Sequence, residues 1–243
     1  METTNNIFVP NILHESTSGA TQLSLSSELF RSRKLFLIGD VDAESMGTLM
    51  QELMILDAES NEPIELYINS AGGMVTSGMA VYRYMTDCMK SPIYTYCIGL
   101  AASMASLLYL AGTKRFIYEG TRIILHDPSS IATTSEKPGE LIGRLKSLEI
   151  AREMICHIIA YRTGHPFDEI AEIIKNDKIC EADEALEFGL ATEIIKNDKP
   201  NKDTDNPFSS NPNSSNTTFL PYPDNKEAQA FSDPDAVVIN GIP

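Results

Sequence analysis

The apolar residues of the chain follow two alternating patterns. Short apolar runs typical of buried strands occupy residues 34–39, 63–70, 93–99, 114–118, 121–127 and 191–195. Between them, apolar residues recur every three or four positions, as on one face of a helix. Residues 43–60 show this most clearly, with Met46, Leu49, Leu53 and Leu56 on one side. The alternation predicts βαβ units that form an α/β fold with a largely parallel, buried sheet.

One predicted helix is unusually long. Apolar residues recur at helical spacing through residues 139–163, with Pro138 and Gly139 at the start and Gly164 at the end. The mean helix in globular proteins has about 11–12 residues. We therefore expect this helix either to span the domain or to project from it toward a partner.

The two ends of the chain differ from its middle. The first twenty or so residues are polar and are expected to form loops. From Asn197 onward the chain is rich in Asn, Pro, Ser and Asp and has no sustained periodicity, which is typical of disorder. We predict a loop segment at 1–20, one domain at 21–196 and a largely disordered acidic tail at 197–243.

Composition narrows the function classes. The net charge of -15 and the absence of a basic run argue against a nucleic-acid surface. The four cysteines include no CxxC pair, so neither a zinc ribbon nor a redox motif is indicated. The sequence opens without a secretory signal, and its longest apolar run is broken by small and hydroxyl residues. These features lead us to expect a cytoplasmic protein with no membrane partner.

Two of the predicted strands end in segments whose residues are candidates for a catalytic or binding site. "NSAGGMV" places Gly72 and Gly73 where backbone amides can face a ligand, although a simple turn needs the same glycines. "GLAASMAS" places Ser103 at the start of a helix, with the amide of Met104 next to it. Such a serine can be a nucleophile whose neighbouring amide stabilises an oxyanion, or an ordinary helix cap.

A third strand end offers a base for that serine. His126 ends the apolar run "IILHDP" and can be a general base or a structural histidine. A carboxylate would have to orient its ring. Asp127 is adjacent, but neighbouring strand residues point to opposite faces. Asp177 lies in a loop before a later helix, and the spacing alone leaves the choice open.

Taken together, these segments resemble a known family, the proteolytic subunit ClpP of the Clp protease. The motifs "YINSAGG", "GLAASMASLLYLAG", "TRIILHDP" and "DKICEADEALEFGLAT" occur in that family's order, and the resemblance covers residues 7–195. It implies the ClpP/crotonase fold, built of stacked βαβ repeats with a projecting handle helix at 139–163. It also implies a serine endopeptidase of an ATP-dependent Clp protease. Such an enzyme hydrolyses unfolded proteins and peptides inside a ring-shaped chamber.

The resemblance assigns roles to individual residues. Ser103 is implied as the nucleophile, His126 as the base and Asp177 as the orienting acid. The amides of Gly73 and Met104 are implied as the oxyanion hole. Neither a metal nor an organic cofactor is implied. The residues expected to contact the substrate are Gly72, Met74, Val75, Pro128, Ser129 and Ile131.

The resemblance also implies partners. Members of the family assemble into stacked heptameric rings, or into mixed rings with a paralogue. They bind an AAA+ ATPase of the ClpX, ClpA or ClpC type through apolar clefts. Tyr67, Tyr96 and Ile98 fit such a cleft, whereas Glu65 stands where an aromatic residue is common. The chain has no phosphate-binding GxxxxGK[ST] motif, so ATP hydrolysis is expected to belong to the partner.

Some positions depart from the family pattern. Ala71, Leu100, Ala105 and Asp127 replace the residues that are usual beside the catalytic motifs. They motivate one alternative, a catalytically weak or silent ring subunit that accompanies an active paralogue. A second alternative is an acyl-CoA enzyme of the crotonase type. Such an enzyme would not need a serine, a histidine and an aspartate together, and their joint presence argues against it.

Overall fold

A computed structural model of the chain describes residues 11–16, 19–130 and 137–196. The predicted acidic tail at 197–243 and the expected substrate contact Ile131 lie outside the described residues, as do residues 1–10.

The N-terminal segment contains a hairpin that the sequence pattern did not indicate. Strand β1 (Asn11–Ser16) pairs antiparallel with β2 (Gly19–Ser24), and helix α1 (Leu25–Arg31) follows. The expectation of loops over the first twenty residues is therefore wrong for 11–16 and 19–20. Cross-strand backbone pairing defines this hairpin, and such pairing leaves no mark in the apolar pattern.

The first half of the domain alternates strands and helices as predicted. It comprises β3 (Lys34–Val41), α2 (Ala43–Glu59), β4 (Ile64–Gly73), α3 (Val75–Arg83), β5 (Ile93–Ala102), α4 (Met104–Leu110) and β6 (Lys114–Tyr118). A π-helical turn, Tyr84–Cys88, extends α3. Asp42 and Ser45 form a capping box that fixes the start of α2. The four residues predicted to share one face of that helix are the four that are buried.

The second half contains one strand that was not predicted. It comprises β7 (Arg122–Leu125), α5 (Pro138–Thr163), α6 (Phe167–Ile173), a 3-10 turn (Ile174–Asn176), β8 (Lys178–Glu181), α7 (Ala182–Glu187) and β9 (Glu193–Ile195). Strand β8 has four residues, and Cys180 is the buried one. A strand this short shows no readable alternation, so only its pairing with β7 identifies it.

The sheet branches at β5. Its main path runs β3-β4-β5-β6-β9, with every pair parallel. The first half of β5 pairs with β6, whereas Leu100–Ala102 pair in parallel with β7. Strand β7 in turn pairs antiparallel with β8. The predicted α/β fold with a largely parallel sheet is confirmed.

In the single chain, the expected buried sheet is buried on one face, whereas the other face is only partly covered. Along β4, Ile64, Leu66 and Ile68 are buried beneath helices, whereas Tyr67 between them is only half-buried. The helices pack on the first face, so the aromatic side chains of the other face remain accessible in the single chain.

A buried arginine attaches the C-terminal part of the domain to the sheet. The Arg115 guanidinium donates to the carbonyls of Leu190 at 2.6 Å and Gly189 at 3.1 Å, and burial lowers its pKa. The amide of Thr192 also donates to the Arg115 carbonyl at 2.8 Å. These contacts bring β9 alongside β6.

The long helix α5 projects from the domain, as predicted. Its 26 residues extend over about 39 Å. Only Ile155, Cys156 and Ile159, in its second half, are buried. Its first half exposes the apolar residues Leu141, Ile142, Leu145 and Ile150. Among the helices within the described ranges, none is both long enough and apolar enough to cross a membrane.

Candidate active site

Strand β7 brings the candidate nucleophile, base and acid to one end of the sheet. Its parallel pairing with β5 ends at Ala102↔Ile124, and the amide of Ser103 donates to the Ile124 carbonyl at 3.0 Å. Its antiparallel pairing with β8 ends at Leu125↔Lys178. His126 and Asp177 each lie one residue beyond this last pair, so the two strands bring them to the same end of the sheet.

The glycine turn after β4 packs directly against the serine. A Cβ atom placed on Gly72 would lie 2.6 Å from the Ser103 Cβ and 2.9 Å from the Met104 nitrogen. Gly72 also has a φ of +96°, a value that residues other than glycine rarely adopt. A glycine is therefore needed at 72 for this close approach. The positive φ fits the simple-turn interpretation as well, but a turn alone does not require the contact with Ser103.

Ser103 does not act as an ordinary helix cap. Its φ of 53° and ψ of -127° are far from the extended geometry of a cap, and its side chain makes no capping hydrogen bond. The non-glycine residues with positive φ in the described part of the chain are Arg33, Ser103 and Asp177. Strained backbone of this kind tends to occur at functional sites, and here it coincides with two of the three candidate residues.

Ser103 and His126 line a common cavity of about 270 Å³. Both residues predicted for the oxyanion hole, Gly73 and Met104, line it as well. Met104 is the first residue of α4, so its amide has no acceptor within the helix. The remaining lining residues are Val75, Ser106, Leu107, Leu125, Pro128, Ser129, Ile155 and Ile159.

The predicted substrate contacts divide into three groups. Val75, Pro128 and Ser129 line the cavity. Gly72 packs against Ser103 and is not among the lining residues. The half-exposed Met74 side chain is not part of the lining either. Ile131, as stated above, is not among the described residues.

The apolar floor of the cavity was not foreseen. Leu107 follows Ser103 by four residues, and this helical spacing could have indicated a shared face. Ile155 and Ile159 come from α5, more than fifty residues later in the chain. No local signal identifies them, because their position depends on how α5 docks.

The ring of His126 has a definite hydrogen-bond partner. Its Nδ1 lies 2.6 Å from the carbonyl oxygen of Asp127. A carbonyl only accepts, so Nδ1 carries the proton and the Nε2 of a neutral ring is free to take one. That arrangement suits a general base. However, the partner of Nδ1 here is a main-chain carbonyl and not a carboxylate.

The two candidate acids have different surroundings. The Asp127 carboxylate accepts from Nε of Arg152 at 2.8 Å and is therefore engaged with helix α5. Asp177 follows the 3-10 turn with a φ of 44° and a ψ of 100°, and it is exposed. Asp177 directly precedes β8, whose first residue pairs with the last residue of β7 before His126. Among the described residues, no group of three or more His, Cys, Asp or Glu could hold a metal ion.

Comparison with known proteins gives two further findings. Residues 17–198 match the family model described as Clp protease. A solved structure of a ClpP1 point mutant from Listeria monocytogenes superposes with a TM-score of 0.64 at 29% sequence identity. The match covers 72% of this chain and 97% of that one.

Replacing Gly72 by alanine tests whether the close approach of the glycine turn matters. The added Cβ would displace Ser103 and the Met104 amide, and we expect acylation of Ser103 by a fluorophosphonate to slow about 10²-fold. Gly47→Ala is the matched control, because a Cβ at that position in α2 meets no atom within 4 Å. Equal labelling rates in the two folded variants would show that the close approach of Gly72 to Ser103 does not matter for the reactivity of the serine.

Proposed function

The chain belongs to the Clp protease family, and from that premise we propose that it is an active serine endopeptidase that cleaves unfolded polypeptides. One observation carries the proposal. Ser103, on a strained turn, shares a cavity with His126 and lies against a glycine turn that can supply oxyanion donors.

The proposed chemistry is acyl transfer through Ser103. Its Oγ attacks the peptide carbonyl while Nε2 of His126 takes the hydroxyl proton. The amides of Gly73 and Met104 stabilise the negative oxygen of the tetrahedral intermediate. The C–N bond then breaks, and His126 returns the proton to the departing amine. A water molecule, activated by the same ring, hydrolyses the ester and restores the serine.

In this proposal Asp177 orients the base. Its carboxylate would accept the Nδ1 proton of His126 and stabilise the imidazolium that forms during attack. The pairing of β7 and β8 supports this role, because its last pair is Leu125↔Lys178 and the two residues come next on their segments. The ring must first turn from the Asp127 carbonyl toward Asp177.

The cavity supports an extended peptide as the substrate. Val75, Pro128 and Ser129 line the same cavity as Ser103 and come from the segments after β4 and β7. Main-chain pairing with such segments gives weak sequence preference. The floor formed by Leu107, Leu125, Ile155 and Ile159 would accommodate an apolar side chain next to the cleaved bond.

We propose that the chain assembles into stacked rings through the exposed first half of α5. Its apolar residues are 42% to 67% exposed in the single chain. A row of that kind is typical of a helix that packs against another subunit. Two stacked heptameric rings would bury it and would enclose the active sites in a chamber.

The open face of the sheet supports docking of an AAA+ Clp ATPase. Phe36, Tyr67, Tyr96 and Phe116 form a continuous stack, with successive ring centroids 5.3, 4.6 and 4.7 Å apart. Glu65, which stands at an aromatic position of the family, accepts from the Tyr67 hydroxyl at 2.7 Å. Burial, followed by this hydrogen bond, raises the pKa of Tyr67. The carboxylate therefore fixes the ring stack, which remains available to an apolar loop of the ATPase.

A second candidate function is a silent ring subunit that accompanies an active paralogue. It is favoured by the orientation of His126, whose Nδ1 is hydrogen-bonded to the Asp127 carbonyl, whereas Asp177 is exposed. Such a subunit would share the fold and the partners but would not turn over substrate.

Fluorophosphonate labelling of the assembled protein separates the two candidates. We expect an adduct on Ser103 and hydrolysis of a short fluorogenic peptide, and both should be lost in Ser103→Ala. Native mass spectrometry of the same sample reports the ring size and whether one subunit type suffices. Assembled rings that form no adduct would exclude the protease and favour the silent subunit.

Asp177→Asn tests the orienting acid. Without the carboxylate the imidazolium loses its stabilisation, and we expect kcat for peptide hydrolysis to fall by about 10³-fold or more. Asp198→Asn is the control, because "EIIKNDK" surrounds both aspartates but only Asp177 precedes β8. A similar loss in both variants would contradict the role given to Asp177.

Tyr67→Ala tests the docking surface. Removing one ring interrupts the stack between Phe36 and Tyr96, so we expect at least a tenfold loss of ATP-dependent degradation of unfolded casein with an added ClpX-type ATPase. Hydrolysis of a short peptide, which needs no ATPase, serves as the internal control and should stay unchanged. Normal casein degradation by Tyr67→Ala would mean that the ATPase docks on a different surface.

A further inference from the structure

Asp127, next to the proposed base, is held through each of its polar groups. Its amide donates to the Ile174 carbonyl at 2.9 Å. Its own carbonyl accepts from Nδ1 of His126 at 2.6 Å, and its carboxylate accepts from Nε of Arg152 at 2.8 Å. Asp127, whose carbonyl accepts from the imidazole, is therefore fixed by contacts with two other segments.

Arg152 connects those segments. It lies on α5, and besides Asp127 it donates to the carbonyl of Ala171 in α6 at 2.6 Å. The side chains of both ion-pair partners are only about a third exposed, at 33% and 36%. In such partly buried surroundings a charge-assisted hydrogen bond restrains its partners more than one at an open surface does.

The same contacts reach the segment that carries the acid. Ala171 and Ile174 lie in α6 and the 3-10 turn, which lead directly to Asp177. One pair of residues thus links α5, the loop after β7 and the approach to β8. A change in the position of α5 would act on both His126 and Asp177.

We propose that Asp127 and Arg152 form a positioning pair that keeps the His126 ring on the Asp127 carbonyl and away from Asp177. The proposal rests on the protease function proposed above. A carboxylate is a stronger acceptor for Nδ1–H than a neutral carbonyl, so the ring turns to Asp177 once the restraint is released. The pair therefore sets the fraction of subunits whose triad is aligned, and α5 controls the pair.

The proposal predicts a gain of activity from breaking the pair. With the aligned orientation populated at about 10% or less, its release raises kcat by up to about tenfold. KM stays unchanged, because neither residue lines the cavity that receives the substrate. A merely structural ion pair would behave differently, since its loss would lower kcat together with stability.

The experiment uses the assembled full-length chain with Asp127→Asn, Arg152→Gln and the double variant. We expect each single variant to accelerate both fluorophosphonate labelling of Ser103 and kcat for a fluorogenic peptide. We expect the double variant to match the singles, because all three remove the same interaction. Arg152→Lys keeps the charge but cannot reproduce both contacts of the guanidinium, so its rates should lie between those of the wild type and Arg152→Gln. Arg83→Gln is the control, because it breaks the exposed Arg83–Asp87 pair at 3.3 Å and should change nothing.

The outcomes separate this proposal from the protease function. Labelling of the wild type with equal or slower labelling of both single variants overturns the positioning role alone. An effect on KM without one on kcat overturns it too. Absence of labelling in the wild type and in every variant overturns the protease function and the positioning role together. Labelling that appears only in the variants supports the positioning role and overturns the protease function of the wild-type chain.

Discussion

The pairing of strand β7 with two neighbours of opposite direction is the constraint on which the site depends. Its parallel partner β5 delivers Ser103 beside its end, and its antiparallel partner β8 begins just after Asp177. A one-residue slip in either register would turn the side chains to the other face. Backbone hydrogen bonds between strands, rather than contacts among the site residues themselves, therefore set the spacing of the serine, the histidine and the aspartate.

Backbone strain is concentrated where those strands end. Ser103 and Asp177 both have positive φ, and the surrounding structure must hold them there. At Ser103 this support comes from the hydrogen bond that its amide donates to the Ile124 carbonyl, and from Gly72, whose missing side chain leaves room for the turn. The short helix α4 then begins at once with Met104, which lines the cavity.

Helix α5 joins two properties of the molecule that would otherwise be separate. Its first half exposes an apolar row, whereas its second half supplies Ile155 and Ile159 to the floor of the cavity and Arg152 to Asp127. Burial of the exposed row by another subunit would restrain the same helix that contacts the loop after the base. In the proposed assembly, this continuity would connect subunit packing with the orientation of His126.

The sequence alone determined the features that depend on local patterns, because periodicity and turn residues act over a few neighbours. These features include the order of most strands and helices, the buried face of α2, the projecting α5 and the placement of Ser103 and His126 at strand ends. Tertiary structure decided the rest. Strand β8 and the N-terminal hairpin exist through pairing and not through an apolar pattern. The different surroundings of Asp127 and Asp177 also came from the tertiary structure, because the contact of Asp127 with Arg152 and the pairing of β8 with β7 depend on segments far apart in the chain.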